Sequence, residues 1–168
     1  MRFRRKDVNQ RALSQKAHNF WLESLWTFLP FIYLAILFVW GFWQYLGMYV
    51  APHDSKELRV IGQKWQWSVD YPTEEISVAG VGATVAVPVG RPVKLVMSSQ
   101  DVIHSFFIPN LRVKQDVVPG RYSTLWFQAD KVGEYPILCA EYCGDLHSQM
   151  LAKLVVMKED DYKDWVDK

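Results

Sequence analysis

One stretch of this chain carries no charge. Between Glu23 and His53 there is no Lys, Arg, Asp, Glu or His. Within it, Phe28–Val50 is an apolar run of 23 residues. As a helix this run would measure about 35 Å, enough to cross a hydrocarbon core of about 30 Å. Aromatic residues lie near both ends, where amphipathic rings meet lipid headgroups: Trp21, Trp26 and Phe28 at one end and Trp43, Tyr45 and Tyr49 at the other. The pattern predicts one transmembrane helix over residues 24–52.

Three other interpretations of this segment fit less well. A signal peptide has an apolar run of about 7–15 residues before a small-residue cleavage site, and the run here is longer and more aromatic. A buried core helix would need a second apolar segment to enclose it. An interfacial helix would need a charged face, which this segment lacks. We therefore expect a retained anchor in contact with the lipid bilayer.

Charge is unevenly distributed along the chain. Residues 1–20 contain six basic side chains and one acidic side chain, whereas residues 53–168 contain 13 basic and 16 acidic ones. Because basic flanks stay in the cytoplasm, we expect residues 1–23 to be a cytoplasmic segment. The C-terminal domain would then lie on the outer, periplasmic side of the plasma or inner membrane. The overall charge of +1 argues against binding to nucleic acid.

Residues 53–158 have the pattern of short strands. Apolar residues alternate at Trp65, Trp67 and Val69 within 57–70, and turn signals such as Val118-Pro119-Gly120 separate the segments. The pattern favours an all-β antiparallel sandwich or barrel. A polar tail at residues 159–168 is predicted to form a short helix. The other predicted strands are at 84–87, 93–97, 112–117, 122–128, 135–138 and 151–157.

The soft metal donors of the chain are concentrated near its C-terminal end. Cys139, Cys143, His147 and Met150 fall within twelve residues, and His104 lies 35 residues upstream of Cys139 at a predicted strand end. Copper accepts thiolate, imidazole and thioether together, whereas zinc has little use for a thioether. Two thiolates can bridge two copper ions, and one electron shared by both metals lowers the reorganisation on reduction. The pattern indicates a binuclear copper site for electron transfer.

Three alternatives remain open for the two cysteines. Outside the cytoplasm a cysteine pair most often forms a disulfide, although a spacing of four residues makes that bond awkward here. A Cys2His2 zinc site is a second possibility. A thioredoxin-like copper chaperone is a third, but that fold would place its histidine downstream of the cysteines.

At these residues the sequence resembles a known family. The resemblance is to subunit II of the haem-copper cytochrome c oxidases, the subunit that carries the CuA centre, and it runs from about residue 20 to 157. The single anchor resembles the B-type oxidases, since most members have two helices. The family fold is a cupredoxin Greek-key barrel or sandwich. The motifs that carry the resemblance are Cys139-x3-Cys143-x3-His147-x2-Met150, Ser99-Gln-Asp-Val-Ile-His104-Ser-Phe, Lys114-x-Asp116-x2-Pro119-Gly120-Arg121 and Trp65-Gln66-Trp67-Ser68.

The resemblance implies a set of ligands for two copper ions. Cys139 and Cys143 would bridge both ions. His104 and Met150 would complete the coordination of one copper, and His147 with the main-chain carbonyl of Glu141 that of the other. The Glu141 carboxylate also matches a family ligand to a Mg²⁺ ion at the interface with subunit I.

The resemblance also implies a function. Trp65 matches the position at which electrons from cytochrome c enter, and His147 lies on the side facing subunit I. The chain would pass electrons to the haem groups of subunit I, which reduces O2 to water. A further small membrane subunit is a candidate partner. Asp70, Asp101 and Asp145 are candidates for an acidic face that docks cytochrome c.

Three rival functions differ from this one. A copper-delivery or thiol-redox protein would bind one Cu(I) and cycle its cysteines to a disulfide. A metal-free quinol-oxidase subunit would share the fold without the ligands. A disulfide-stapled anchored binding domain would need no metal at all.

Overall fold

The computed structural model describes residues 18–167. Residues 1–17 of the expected basic segment 1–23 therefore lie outside the described residues. The chain divides into two compact units between Gln44 and Tyr45. The first contains most of a long helix, and the second contains the β-domain.

The long helix, α1 (Phe20–Tyr49), begins earlier than Ser24, where the expected span starts. A reciprocal cap fixes this start. The Asn19 Oδ1 atom accepts a hydrogen bond from the Leu22 amide at 3.2 Å, and Glu23 Oε1 accepts one from the Asn19 amide at 3.1 Å. None of the residues of α1 is buried. Within residues 18–167 it is the one helix that is long and apolar enough to cross a membrane.

Ten strands form two five-stranded sheets in the second unit. The strand order is β3-β2-β1-β5-β8 in the first sheet and β4-β10-β9-β6-β7 in the second. The predicted all-β sandwich, preceded in the sequence by one long apolar helix, is thus confirmed. The strands are β1 (Lys56–Gln63), β2 (Gln66–Tyr71), β3 (Ile76–Gly80), β4 (Ala83–Pro88), β5 (Pro92–Ser99), β6 (His104–Ile108), β7 (Val113–Val117), β8 (Ser123–Gln128), β9 (Gly133–Cys139) and β10 (Leu151–Met157).

The topology departs from the sequence expectation in three ways. The segment 57–70 forms two antiparallel strands rather than one, because the chain turns at Lys64 and Trp65. Strands β3 and β6 have no counterpart among the expected strands, so His104 begins a strand instead of ending one. The sandwich is also not wholly antiparallel, since β1 pairs with β5 and β4 pairs with β10 in parallel.

The core lies between the two sheets and is rich in large side chains. Trp67 of β2 contacts Phe106 of β6 edge to face, with ring centroids 5.1 Å apart at 78°. Alternate residues of β1, β2, β5 and β10 are buried, as expected of strands with one face toward a core. The largest fully buried side chains are Trp67, Tyr71, Phe106, Leu58, Leu95, Met97, Ile108, Ile137, Met150 and Leu154.

The polar tail forms the short helix α2 (Glu159–Val166), as predicted. Three acidic residues occupy its first turn, where they complement the positive end of the helix dipole. Its Trp165 ring packs against Tyr71 of the core, with centroids 5.2 Å apart. Beneath the helix, Lys56 forms a buried ion pair with Glu74 and lies 4.9 Å from the centre of the Tyr162 ring. The helix therefore closes the edge of the sandwich at the start of β1.

Candidate metal centre

Strand register explains why residues distant in sequence meet at one end of the sandwich. Strand β6 pairs with β9 so that Phe106 lies opposite Cys139, and the Ala140 amide donates to the Ser105 carbonyl at 2.9 Å. His104, at the start of β6, therefore lies beside the end of β9. The Cys139 amide donates to the Met150 carbonyl at 3.3 Å, which closes the base of the loop between β9 and β10.

The side chains of this loop and His104 converge on the two sulfur atoms. The Cys139 Sγ atom lies 3.8 Å from Cys143 Sγ, 3.8 Å from His104 Nδ1 and 3.3 Å from the Glu141 carbonyl oxygen. The Cys143 Sγ atom lies 3.5 Å from His147 Nδ1 and 3.7 Å from Met150 Sδ. All six expected donors, five side chains and one carbonyl, are thus brought together.

The sulfur–sulfur distance separates a metal site from a disulfide. Both cysteines are free, so the disulfide alternative is wrong for this structure. A disulfide would hold the sulfurs about 2.05 Å apart. Two thiolates that share a tetrahedral ion at about 2.3 Å would instead lie close to the observed 3.8 Å. The nearby thioether of Met150 favours copper over zinc.

The donors differ in their exposure. His104 and Met150 are 0% exposed and Cys143 is 3% exposed, whereas Cys139 and His147 are half-buried. The interior side of the site is therefore dry, which strengthens electrostatic interactions there. Its outer side is formed by Cys139 and His147, and the Tyr142 ring contacts the His147 ring edge to face at 5.8 Å.

The two thiols differ in acidity when no metal is bound. Burial opposes ionisation of Cys139, but hydrogen bonds with His104, Ser105 and Glu141 lower its pKa to about 6. Burial and the neighbouring Cys139 charge raise the pKa of Cys143 to about 12. Burial alone would lower the pKa of His104, but Cys139 and Asp101 raise it above its ordinary value. A metal cation would displace the remaining thiol proton, because thiolates are the ligands.

Asp101 has an internal role that the sequence did not suggest. Its Oδ1 atom lies 2.8 Å from His104 Nε2, and its Oδ2 atom accepts a hydrogen bond from the Lys64 amide at 2.7 Å. Burial opposes its ionisation, but hydrogen bonds from His104, Lys64 and Val102 lower its pKa to about 2. The carboxylate fixes the orientation of the buried imidazole, as outer partners of metal-ligating histidines commonly do.

Two glycines make room for the site, and sequence reasoning missed both. A Cβ atom on Gly62 of β1 would lie 3.0 Å from His104 Cδ2 and 3.1 Å from Trp67 Cζ3. Gly144 has a φ of +118°, and a Cβ there would lie 3.3 Å from Trp65 Nε1. A glycine directly after Cys143 was the one available signal. No sequence signal marks Gly62, because the packing of the two sheets determines which side chains lie beside it.

Trp65 lies at the turn between β1 and β2 rather than within a strand. Its indole ring packs over the backbone of Gly144, the residue after Cys143. The ring is half-buried, and its Nε1 atom has no hydrogen-bond partner within residues 18–167. Trp65 is therefore close to the loop that carries the candidate ligands, and its role in electron entry stays a prediction.

The other acidic candidates lie at the surface. Glu141 is exposed, and its carbonyl points to Cys139 while its carboxylate faces outward. Asp145 is exposed, and Asp70 accepts a hydrogen bond from Ser77 at 2.6 Å. Of the three expected docking acids, Asp101 is the one engaged with the metal site.

Comparisons with known proteins agree with this geometry. A family model described as "Cytochrome C oxidase subunit II, periplasmic domain" matches residues 57–158. Cytochrome c oxidase subunit 2 of Alkalihalophilus pseudofirmus is 34% identical over 172 residues, covering 99% of this chain and 49% of that protein. The chain spans about half the length of the first curated relatives that it matches, 52% and 49%.

Solved structures show the same fold. The periplasmic domain of subunit II of cytochrome oxidase from Bradyrhizobium japonicum superposes with a TM-score of 0.67 at 28% identity, covering 70% of this chain and 95% of that one. A second structure is a mixed disulfide intermediate between a thioredoxin-like protein and subunit II of cytochrome c oxidase. It superposes with a TM-score of 0.63 at 27% identity and covers 70% and 92% of the two chains.

Proposed function

The chain belongs to the cytochrome c oxidase subunit II family, and we propose that it is the electron-input subunit of a membrane-bound terminal oxidase. One observation carries this proposal. The two cysteine Sγ atoms lie 3.8 Å apart at one end of the sandwich. Each of the other donors lies 3.3–3.8 Å from one of these sulfurs: the His104 and His147 Nδ1 atoms, the Met150 Sδ atom and the Glu141 carbonyl oxygen.

The donor set fits a binuclear copper centre. Cys139 and Cys143 would bridge two copper ions, and when bound the pair would supply a reversible one-electron carrier. His104 and Met150 would complete the coordination of one copper ion. His147 and the Glu141 carbonyl would complete that of the other. Asp101 holds the His104 ring through its Nε2 atom, which leaves Nδ1 free to face the sulfurs.

Trp65 and His147 would connect the centre to its two partners. Trp65 packs on the ligand loop at Gly144 and is the proposed point at which electrons from cytochrome c enter. His147 is half-buried on the outer side of the loop, and we assign that side to subunit I of a haem-copper oxidase. Dioxygen would be reduced to water in subunit I, because the reaction needs haem groups and subunit I would hold them.

The membrane arrangement is part of the proposal. Residues 24–52 would anchor the chain as a single span, with residues 1–23 in the cytoplasm, the domain 53–158 on the periplasmic side and the tail 159–168 beside it. This single anchor would place the chain with the B-type oxidases. The exposed Glu141 carboxylate is the proposed ligand of a Mg²⁺ ion at the interface with subunit I.

A thioredoxin-like reductant is a further proposed partner. A relative forms a mixed disulfide with such a protein. If the pair became oxidised, a thiolate of the reductant would attack the half-exposed Cys139 sulfur, form a mixed disulfide and release the Cys143 thiol, and a second thiol of the reductant would then displace Cys139 and leave the reductant as the disulfide. Reduction of the cysteine pair would precede the loading of copper, because only thiolates bind the metal.

The test is oxidation of reduced cytochrome c by the copper-loaded full chain in detergent, followed by stopped-flow absorbance. Wild type should oxidise cytochrome c, W65F should do so more slowly, and the matched control W126F should behave like wild type. C139S should accept no electrons. A wild-type chain whose copper is reduced by ascorbate but not by cytochrome c would overturn the proposed donor.

A further inference from the structure

Asp101 joins two parts of the molecule that belong to different strands. Its Oδ2 atom accepts a hydrogen bond from the Lys64 amide, in the turn between β1 and β2, at 2.7 Å. Its Oδ1 atom lies 2.8 Å from Nε2 of His104, the first residue of β6. One carboxylate therefore holds both the turn that carries Trp65 and a ligand of the candidate metal centre.

The loop that carries Asp101 is itself fixed. The Gln100 amide donates to the Gly62 carbonyl at 3.0 Å, so the loop is tied to β1 just before the turn. The Val102 amide donates to Asp101 Oδ1 at 2.6 Å, and the Asp101 amide donates to Ser99 Oγ at 3.2 Å. These bonds leave the Asp101 side chain few alternative positions, so it can act as a rigid bridge.

Trp65 directly follows Lys64, so the hydrogen bond of the Lys64 amide helps to fix the backbone position from which the Trp65 side chain extends. The far side of the indole lies against the backbone of Gly144. The ring is thus held from two directions, by Asp101 through the turn and by the ligand loop through Gly144. Loss of the Asp101 bond would release the turn while the loop stays in place.

We propose that Asp101 is a positioning residue that fixes Trp65 relative to His104 and the cysteine loop. The inference rests on the proposed function, in which Trp65 is where electrons enter. It differs from the expected role of Asp101 as a surface acid that attracts a basic donor. A docking acid acts through its charge alone, whereas a positioning residue acts through its two oxygen atoms.

The variant D101N separates these roles. An Asn side chain keeps one oxygen and so cannot accept from both the Lys64 amide and His104 Nε2. The matched control is D145N, which removes the same charge from an exposed residue within the ligand loop that makes no bond to the Lys64 turn in the described residues. The first experiment uses the copper-free full chain in detergent and measures hydrogen exchange of the Lys64 amide and the NMR shift of the Trp65 indole N–H.

D101N should speed exchange of the Lys64 amide by roughly tenfold or more, because hydrogen bonds to charged groups are among the stronger ones. It should also shift the Trp65 indole resonance, and D145N should change neither. D101A removes both acceptor oxygens, so unchanged Lys64 protection in D101A would overturn the inference. If D101N does not fold, D101E moves the carboxylate by one methylene and carries the same test.

The second experiment compares D101N, W65F and the double variant as copper-loaded full chains oxidising cytochrome c. If Asp101 acts through Trp65, the double variant should be no slower than W65F alone. Additive losses would contradict the positioning role. A wild-type chain that takes up no copper would refute the proposed function instead, and the exchange result on the copper-free chain would still decide the role of Asp101.

Discussion

Replacing Gly62 by alanine tests how the fold positions His104, one of the proposed copper ligands. The added Cβ would lie 3.0 Å from His104 Cδ2 and 3.1 Å from Trp67 Cζ3. Carbon atoms in ordinary contact lie about 3.5–4.0 Å apart, so each ring must retreat by about 0.5 Å. Both rings are 0% exposed and have no free space to enter.

The structure sets the expected size of the effect. Overpacking of a filled core lowers stability by about 1–3 kcal/mol. For a domain of about 100 residues, each kcal/mol lowers Tm by about 4–8 °C. The G62A variant should therefore unfold at least about 4 °C below wild type. Because His104 must move, the variant should also bind copper more weakly.

The assay is thermal unfolding of the full chain in detergent, followed by near-ultraviolet circular dichroism, together with copper titration. The matched control is G133A, in strand β9. A Cβ at Gly133 would come no closer than 3.5 Å to its neighbours, which is ordinary contact. The free energy of unfolding of G133A should lie within about 0.5 kcal/mol of that of wild type. If G62A matched G133A in both Tm and copper affinity, the packing argument would be refuted.

Two further predictions concern charge. K56A should lower the free energy of unfolding by about 3–5 kcal/mol, because it leaves the Glu74 carboxylate buried without its partner, and K56M/E74L should recover most of the loss in urea titrations. In the copper-free chain at pH 7, iodoacetamide should label Cys139 before Cys143, because the Cys139 pKa of about 6 lies below the solution pH and the Cys143 pKa of about 12 lies above it. Peptide mapping that finds equal labelling would contradict the second prediction.

The candidate ligands could be identified from sequence because their chemistry is local. Cys139, Cys143, His147 and Met150 share one loop, and their residue types limit the metals that fit. His104 could be suggested from its place at a predicted strand end, but the sequence could not fix its distance from Cys139, which depends on the pairing of β6 with β9. The long apolar helix was equally predictable, because a long uncharged run has few other uses.

The residues that support the site could not be predicted in this way. Gly62 is required by a contact between the two sheets, and Asp101 acts on a turn 37 residues away. Period-two patterns place residues on a face of a strand but do not reveal which strands are neighbours. For the same reason, segment 57–70 gave one expected strand where the chain forms a hairpin.

The central claim is that two copper ions share the cysteine pair. The most direct measurement is the copper content of the full chain in detergent after loading with cupric salt and removal of the excess, combined with electron spin resonance. We predict two copper ions per chain and a mixed-valence signal from one electron shared by both, with the signal lost in C139S and in C143S. One copper per chain, or a colourless protein without this signal, would contradict the account.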